Sequence, residues 1–427
     1  MARTLWLYNL YRALCTAHLH RPFYVFVFLE RGLTMSQIVL LHMIFSAAVI
    51  TLEVPTGAWA DRLGRRLSMG LGALLMALAS VGYFFAPGFA AIAACEFCFA
   101  AGLTLTSGAD SAFLYDQLQA ANREGEYLQR EANASAAKYV GLGVAAAAGG
   151  VIVHLVSMQA TFLVTAAASL GAFATTLLFP GAREPGFRAG DARSASVGVR
   201  IAEAVRTVRT NRSIWYVILF SSLIFVLVRL ADTLFQPVLK NQGFNEVGVG
   251  FAFAGLSFVA AAAALRLGRL SWERWEAPIL WSLPLLLATT YVFVSLFGPF
   301  MAVALMVPHF MVTGVYSPVM KTLINQQVTD SGVRATVLSA ESAIKRLVML
   351  GVTPVIGLIF RLTEGGEKAG GPSAGSMRPA LLVCGGIALL ALLAHYLYRR
   401  HRRPAEAQRE RQLAAPPEGV RVPAQVG

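Results

Sequence analysis

Charged residues are scarce in this chain: they make up 14% of its 427 residues, whereas hydrophobic residues make up 56%. A soluble chain of this length would fold as two or three domains, and such domains carry about 25% charged residues. The shortage of charge therefore excludes a soluble multidomain protein and predicts a chain that lies in a bilayer.

Cysteine is also scarce, and its placement argues against a metal site. The cysteines all fall in apolar segments: Cys15, Cys95, Cys98 and Cys384. The pair at 95 and 98 has neither a second pair nor a histidine at zinc spacing. No phosphate-binding P-loop and no nucleophile triad is present either. We expect neither an enzyme nor a cofactor, and no metal.

Apolar segments of membrane-spanning length are what the chain has in place of these features. A hydrocarbon core of about 30 Å requires about 20 apolar residues in a helix, and roughly twelve such segments are present. They run over 5–29, 36–60, 67–87, 90–117, 134–156, 160–180, 213–239, 246–267, 277–297, 300–326, 335–360 and 379–398. The first contains Asn9, Arg12, His18 and Arg21, so we interpret it as a retained membrane helix and not as a signal peptide.

The formal charge of +13 lies on alternate loops, which argues against a nucleic-acid-binding protein. Loops that would share one side contain Arg62–Arg66, Arg123, Arg130, Arg183–Arg212, Arg266–Arg274, Arg334 and the tail from Arg399. The opposite loops are short and nearly free of lysine and arginine, with Arg31 and Lys240 as exceptions. The positive-inside rule then places both termini in the cytoplasm and makes the number of crossings even.

The chain divides into two similar halves. Ser135–Lys138 and Ser342–Lys345 match at an offset of 207, and FLERGLTMSQIVLL matches VLKNQGFNEVGVGF at an offset of about 211. In the basic stretch between the halves, apolar residues at helical spacing predict a short helix on the inner leaflet, with a solvated linker as the alternative. The predicted units are a six-helix bundle (1–182), a cytoplasmic linker (183–212), a second six-helix bundle (213–400) and a disordered cytoplasmic tail (401–427).

The most specific motif is GAWADRLGRR, in the predicted loop between the second and third segments. A glycine at 57 lets helix backbones approach closely, and one at 64 permits a tight turn. In type, spacing and location the following residues resemble the loop signature of the major facilitator superfamily: Gly57, Asp61, Arg62, Gly64, Arg65 and Arg66. The resemblance implies an all-α membrane protein with twelve transmembrane helices in two pseudo-symmetric bundles, and a secondary transporter that works by alternating access. It also implies that Asp61, Arg62 and Arg65 lock the cytoplasmic side.

A second resemblance concerns the direction of transport. Small residues of the fifth segment resemble the glycine-rich antiporter motif of exporters in this superfamily, without its proline: Gly141, Ala145, Ala146, Gly149 and Gly150. With EVPTG and SGADSAFLYD, the chain resembles bacterial drug and metabolite efflux permeases. This implies a proton-coupled antiporter for efflux of a small organic compound across the bacterial inner (plasma) membrane. Close helix packing is the alternative explanation of the same glycines.

Ionisable side chains within the apolar segments are candidate site residues, because each costs about 2.5 to 3.5 kcal/mol to place near mid-bilayer. Arg12, Glu53 and Asp110 lie at similar depth. We expect them to form one buried cluster, in which Asp110 or Glu53 carries the proton and exchange of Arg12 switches its uptake. A static ion pair that bridges helices is the alternative.

A second set lies farther outward. The offset of 211 relates His18 and Arg21 to Arg229 and Asp232, so we expect an Arg21–Asp232 pair that closes the periplasmic side. The alternative is that His18, Arg21 and Arg229 hold an anionic group. Two residues of the tenth segment, Tyr316 and Lys321, are further cavity candidates.

The predicted function is therefore proton-coupled export of a drug or metabolite. One alternative is uptake or exchange of an anionic metabolite, and another is a non-transporting membrane sensor or lipid-handling protein. We expect a monomer whose partners are a small-molecule substrate, protons and membrane lipids, with no nucleic acid.

Overall fold

The computed structural model describes residues 1–107, 109–123, 126–179, 211–294, 296–297, 299–327, 331–363 and 374–414, and all the regular structure in these ranges is helical. The helices of the first half are α1 (Ala2–Cys15), α2 (Tyr24–Glu30), α3 (Met35–Leu63), α4 (Arg65–Phe85), α5 (Phe89–Thr106), α6 (Ala109–Gln119), α7 (Tyr127–Leu155) and α8 (Ala160–Leu178). Those of the second half are α9 (Arg212–Asn241), α10 (Glu246–Leu267), α11 (Trp272–Phe293), α12 (Pro299–Gln327), α13 (Ser331–Thr363) and α14 (Ala374–Ala414). The predicted linker lies in residues outside these ranges, except for its last two positions.

Membrane crossings follow from the length and hydropathy of these helices. Within the described ranges, 11 segments are long and apolar enough to cross a membrane. Helices α1 and α2 together supply a further crossing, so the all-α, twelve-crossing prediction is confirmed. Successive crossings alternate in direction. We call the end that carries the turn at Gly64 the Gly64 end, and the end that carries the turns at Gly32 and Gly243 the Gly32 end.

The first segment is not one helix, so the prediction of a continuous helix over 5–29 is wrong. Helix α1 ends at Cys15 and α2 begins at Tyr24. Pro22 has no backbone N–H to donate, and helix at the residue before a proline is disfavoured. Neighbouring helices satisfy backbone groups in this turn: Thr165 of α8 accepts from the Leu19 amide at 2.9 Å, and Gln236 of α9 donates to the Arg21 carbonyl at 2.8 Å.

The fourth segment is also interrupted, which corrects the prediction of one helix over 90–117. Helix α5 ends at Thr106, and the backbone of Ser107 is extended, with φ −65° and ψ 124°. Helix α6 begins at Ala109, which places Asp110 in its first turn. The positive end of the helix dipole favours an ionised carboxylate at that position.

Two pairs of helices hold the halves together. Helix α3 packs against α13, where the Ser36 hydroxyl donates to the Gly357 carbonyl at 3.2 Å. Helix α7 packs against α10, where a Cβ added to Gly250 would lie 2.8 Å from the Cα of Gly150. Both interfaces depend on small side chains, which let backbones approach closely.

Arginines cap helix ends on both sides of the molecule. Arg66 donates to the carbonyl of Leu177 at 2.6 Å, near the end of α8. Arg31, one of the exceptions to the charge bias of the loops, donates to the carbonyls of Tyr83 at 2.6 Å and Phe84 at 3.0 Å at the end of α4. A cation is favoured there because the last carbonyls of a helix lack intrahelical partners. The exception therefore has a local structural reason.

The last helix extends beyond the predicted end of the second bundle. Helix α14 continues to Ala414, so the prediction of a disordered tail is wrong for residues 401–414. Residues 415–427 lie outside the described ranges. The helix continues because the residues after Arg400 are mainly Arg, Ala, Glu and Gln, which are good helix formers.

Candidate functional site

A cavity of about 820 Å³ lies between the two halves, on the Gly64 side of Arg21. It is bounded by residues of α1, α3 to α7, α12 and α13 and by the turns after α1 and α5. Its ionisable lining residues are Arg12, His18, Glu53, Asp110, Asp116, Glu131, Lys138, Lys321, Glu341 and Lys345, together with Tyr11, Tyr115, Tyr127 and Tyr316. The volume is that of a pocket for a small organic molecule.

Arg12 is shared between two carboxylates on the cavity wall. Its guanidinium is in direct contact with Asp110 of α6, and a second nitrogen lies 3.8 Å from Glu131 of α7. The side chains of Arg12 and Asp110 are only 15% and 13% exposed. Asp110 also accepts from the Ser111 amide at 2.7 Å. The predicted neighbours Arg12 and Asp110 therefore do meet.

Glu53 is not part of that cluster, which corrects the expectation of one group. Its carboxylate accepts hydrogen bonds of 3.0 and 3.3 Å from Ser342 of α13. The reason is the rotation of α3, which directs Glu53 towards the other half and not towards α1. The Thr106 hydroxyl, one helical turn before Asp110, donates to the Leu103 carbonyl at 2.8 Å. Glu53 and Asp110 share the cavity but belong to different contacts.

A third polar group joins α9, α12 and α13. Lys345 lies 2.9 Å from Glu341, one helical turn earlier on α13. Glu341 also accepts from the Ser221 hydroxyl at 2.5 Å, and the Tyr316 hydroxyl lies 3.0 Å from the same serine oxygen. Tyr316 thus lines the cavity as a member of a hydrogen-bonded chain. Lys321, the other candidate on α12, is exposed on the cavity wall.

Lys138 lies within the membrane-spanning part of α7. It lines the cavity from α7, its ammonium lies 5.3 Å from the centre of the Tyr139 ring, and no carboxylate in the described part of the chain pairs with it. Lys138 and the next residue each have a contact to another helix or turn. The Thr16 hydroxyl lies 3.4 Å from the Lys138 carbonyl, and the Tyr139 hydroxyl donates to the Thr313 carbonyl of α12 at 2.8 Å.

The Gly32 side of the cavity is closed by the gate cluster, which we define as Arg21, Tyr24, His42, Arg229, Asp232, Thr233 and Gln236. The predicted Arg21–Asp232 pair is present, with one guanidinium nitrogen 2.7 Å from both carboxylate oxygens. Arg229 approaches the same carboxylate at 3.2 Å. One acid therefore serves two arginines.

Neutral hydrogen bonds complete the gate cluster. The Tyr24 hydroxyl, His42 Nε2 and the Thr233 hydroxyl lie within 2.7 to 3.1 Å of one another and join α2, α3 and α9. Gln236 accepts from the Val25 amide at 3.2 Å and donates to the Asp232 carbonyl at 2.6 Å. The cluster thus ties the broken first segment to the second half.

His18 does not contact the gate carboxylate. Its Nε2 lies 3.1 Å from the Cys15 carbonyl, and its ring packs on His20 and against the edge of Phe99. With Arg21 and Arg229 both on Asp232, the alternative in which His18, Arg21 and Arg229 hold an anionic group requires the acid to be displaced first.

The glycine-rich face of α7 makes contacts with backbones on two sides. A Cβ at Gly141 would lie 2.6 Å from the Ala13 carbonyl oxygen, and one at Gly149 would lie 2.7 Å from that of Leu19. Gly150 faces Val247 and Gly250 of α10, in the other half. Close packing is thus a sufficient explanation of these glycines, whatever the direction of transport.

The GAWADRLGRR motif lies at the turn between α3 and α4. Gly64 has φ 91°, a conformation that residues with a Cβ rarely adopt, which explains the glycine. For Gly57, Asp61 and Arg62 the structure describes the helical backbone alone. The second half keeps Gly268 at the corresponding turn, with φ −64°. The role of the motif as a lock stays a prediction.

Several polar groups at the site were not assigned from the sequence. Glu96 of α5 lies beside the Tyr83 hydroxyl, and its signal was a single acid within an apolar run. The sequence did not assign Glu131 to the site, because the fifth segment was predicted to begin at 134, whereas α7 begins at Tyr127. His42 and Lys138 were readable as isolated ionisable residues, but only the structure shows which of them has partners.

Comparisons with known proteins agree with this architecture. The sequence model of the Major Facilitator Superfamily matches residues 16–351. A search of curated protein sequences found no match. The nucleoside transporter NupG superposes with a TM-score of 0.71 at 14% identity, over 92% of this chain and 97% of NupG.

Two further structures of transporters are similar. A bacterial homologue of the human lysosomal transporter Spinster, inward-facing and unoccupied, gives a TM-score of 0.70 at 16% identity, over 93% of this chain and 97% of the homologue. The human organic anion transporter MFSD10 gives 0.63 at 16% identity, over 92% of this chain and 99% of that protein. At these identities the similarity shows the fold alone.

Proposed function

The chain belongs to the major facilitator superfamily, and from this premise we propose that it is a secondary active transporter that exports a small organic compound in exchange for protons. The observation that carries the proposal is the sharing of Arg12 between Asp110 and Glu131 on the cavity wall. When one carboxylate takes up a proton, the other keeps the guanidinium neutralised. Protonation then changes the contacts of α1 without leaving an unpaired cation in the membrane.

Alternating access is supported by the difference between the two ends of the cavity. The gate cluster closes the Gly32 side with ionic and neutral hydrogen bonds, whereas the cavity lies on the Gly64 side. With the Gly64 end in the cytoplasm, as the positive-inside rule favours, this state is inward-facing. Substrate then enters from the cytoplasm or the inner leaflet. Protons from outside reset the carrier through Asp110, or through Glu53 if that acid carries the proton.

The same orientation completes the proposal. The protein lies in a bacterial inner membrane with both termini in the cytoplasm. It works as a monomer, with a solute, protons and lipids as its partners. Residues 1–182 and 213–400 form the two moving bundles, and 183–212 joins them.

The test uses inside-out vesicles with an acidic lumen and an acridine-type dye that reports the pH gradient. The compounds are cationic drugs, neutral drugs and organic acids. We expect one class to dissipate the gradient with the parent protein but not with Asp110→Asn. Glu246→Gln, at the Gly32 end outside the cavity, is the matched control and should behave as the parent. Equal gradient loss with Asp110→Asn and parent would remove Asp110 from the coupling mechanism.

A second candidate function is uptake or exchange of an anionic metabolite. It is supported by Lys138 and Lys321, two cavity cations for which the described chain offers no acid partner. Counterflow of a labelled organic acid without proton movement would favour it over proton-coupled export.

A further inference from the structure

The charge pattern around Lys138 is unbalanced. Lys138 lies inside the membrane-spanning part of α7 and lines the cavity. The charged groups that act most strongly on its ammonium are all cationic: Arg12, Arg21, Arg229 and Lys321. A cation at this depth is costly unless it has a partner or a task, and no partner is found in the parts of the chain that are described.

Comparison of the two halves shows that Lys138 does not have the acid that precedes its counterpart Lys345. Lys138 and Lys345 hold equivalent positions in the Ser135–Lys138 and Ser342–Lys345 repeats. One helical turn before Lys345 stands Glu341, which pairs with it at 2.9 Å. The residue one turn before Lys138 is Ala134, which is fully buried. The second half therefore supplies a carboxylate for its lysine, whereas the described residues of the first half supply none.

The neighbouring arginines are poorer candidates for an anion site than Lys138, because each already contacts an acid. Arg12 already contacts Asp110 and Glu131, and Arg21 and Arg229 share Asp232. Lys138 is thus a cavity cation whose charge no acid of the described residues matches. Lys321 is the other cation without an acid in the described residues, but it is exposed and lies at the Gly64 side.

We infer that Lys138 is the anion-binding residue of the cavity, and that the transported compound is a small organic anion with a carboxylate or phosphate group. The anion pairs with the Lys138 ammonium from the cavity, as Glu341 pairs with Lys345. The cavity of about 820 Å³ has room for such a compound. This inference rests on the proposed transport function, but not on its direction or on proton coupling.

The experiment measures equilibrium binding to the purified full-length protein in detergent, without any gradient. The midpoint of thermal unfolding is followed by intrinsic tryptophan fluorescence. Each pair of probes shares an aryl group and consists of a charged and a neutral member: benzoate and benzamide, 2-naphthoate and 2-naphthamide, phenyl phosphate and phenol. At saturation we expect at least one acid to raise the midpoint by about 2 °C more than its neutral partner.

Variants assign the effect to Lys138. We expect Lys138→Gln to abolish the difference between acid and neutral probe, and Lys138→Arg to retain it. The matched control removes an ion pair outside the cavity, Glu126→Gln with Arg130→Gln, which leaves the net charge unchanged and should keep the difference. Ala134→Glu, which copies the arrangement of the second half, should also abolish it. Lys138→Arg reports on folding, since it keeps the charge and most of the side chain.

Each contrary outcome overturns the inference. The first is that no acid stabilises the parent more than its neutral partner does. The second is that Lys138→Gln keeps the full difference between acid and neutral probe. The third is that phosphatidylglycerol is the only compound that stabilises the protein. Failure of the proposed function is distinct, because the gradient assay then shows no coupling while the anion still binds at Lys138.

Discussion

Arg21 and Asp232 contact each other although they are separated by 211 residues, the same offset that relates the two halves. Two equivalent positions can touch only where the pseudo-twofold axis passes between them. The contact therefore lies at the centre of the interface between the halves, on the Gly32 side of the cavity.

Substitutions at this pair should have unequal effects. Asp232→Asn leaves both Arg21 and Arg229 without their carboxylate, whereas Arg21→Gln leaves Asp232 paired with Arg229 at 3.2 Å. We expect Asp232→Asn to destabilise the protein by about 2 kcal/mol or more, and Arg21→Gln by about half as much. Thermal unfolding in detergent measures both. Equal losses would show that Arg229 does not share the acid.

The α7–α10 interface should not tolerate a methyl group at its closest point. A Cβ at Gly250 would lie 2.8 Å from the Ala146 oxygen, whereas a Cβ at Gly255, on the same helix, would meet no atom within 4 Å. We expect Gly250→Ala to cost about 1 to 3 kcal/mol through overpacking. Gly255→Ala should be neutral or slightly stabilising. Thermal midpoints of the two variants compare the sites directly, and indistinguishable midpoints would contradict this packing.

The α3–α13 interface offers a similar comparison. The Ser342 hydroxyl donates to the Glu53 carboxylate at 3.0 Å, whereas the Ser46 hydroxyl faces only the sulfur of Met349 at 3.9 Å. Because hydrogen bonds to charged groups are the stronger ones, we expect Ser342→Ala to cost about 1 to 2 kcal/mol and Ser46→Ala clearly less. Thermal unfolding in detergent measures the loss of stability in both variants. A larger loss at Ser46 would mean that Glu53 does not depend on Ser342.

Substitutions of Arg31 show whether its charge or its shape stabilises the end of α4. Arg31 holds two successive carbonyls, those of Tyr83 and Phe84, with separate nitrogens of one guanidinium. We expect Arg31→Lys to lose one of the two hydrogen bonds and about 1 kcal/mol, and Arg31→Ala to lose more. Hydrogen exchange at the end of α4 should rise in the same order. A silent Arg31→Lys would assign the residue a role of charge alone.

The sequence predicted the features that depend on spacing along a helix. Apolar length identified the crossings, and the repeat offset identified the Arg21–Asp232 pair. Counting depth from the helix ends brought Arg12 together with Asp110. Depth alone could not show that Glu53 faces Ser342, because each residue turns a helix by about 100° and small errors in rotation change the partner.

The interruptions after Cys15 and Thr106 were hidden for another reason. Apolar composition continues across both, so length and hydropathy indicate one crossing in each case. What allows the first break is the presence of Thr165 and Gln236 on distant helices, which supply hydrogen bonds to the unwound backbone. The lack of a carboxylate partner for Lys138 among the described residues was similarly hidden, because it depends on every neighbouring helix.

The break between α1 and α2 also separates the cavity residues of the first crossing from its gate residues. Helix α1 carries Arg12 on the cavity wall, whereas α2 and the turn before it carry the gate residues Arg21 and Tyr24. A rigid helix would transmit any tilt of one end to the other as a lever. With an unwound turn between them, α1 and Arg12 can shift by a small amount while Arg21 and Tyr24 keep their contacts in the gate cluster. In the proposed transport cycle, a change of charge at Arg12 can then precede the separation of Arg21 from Asp232.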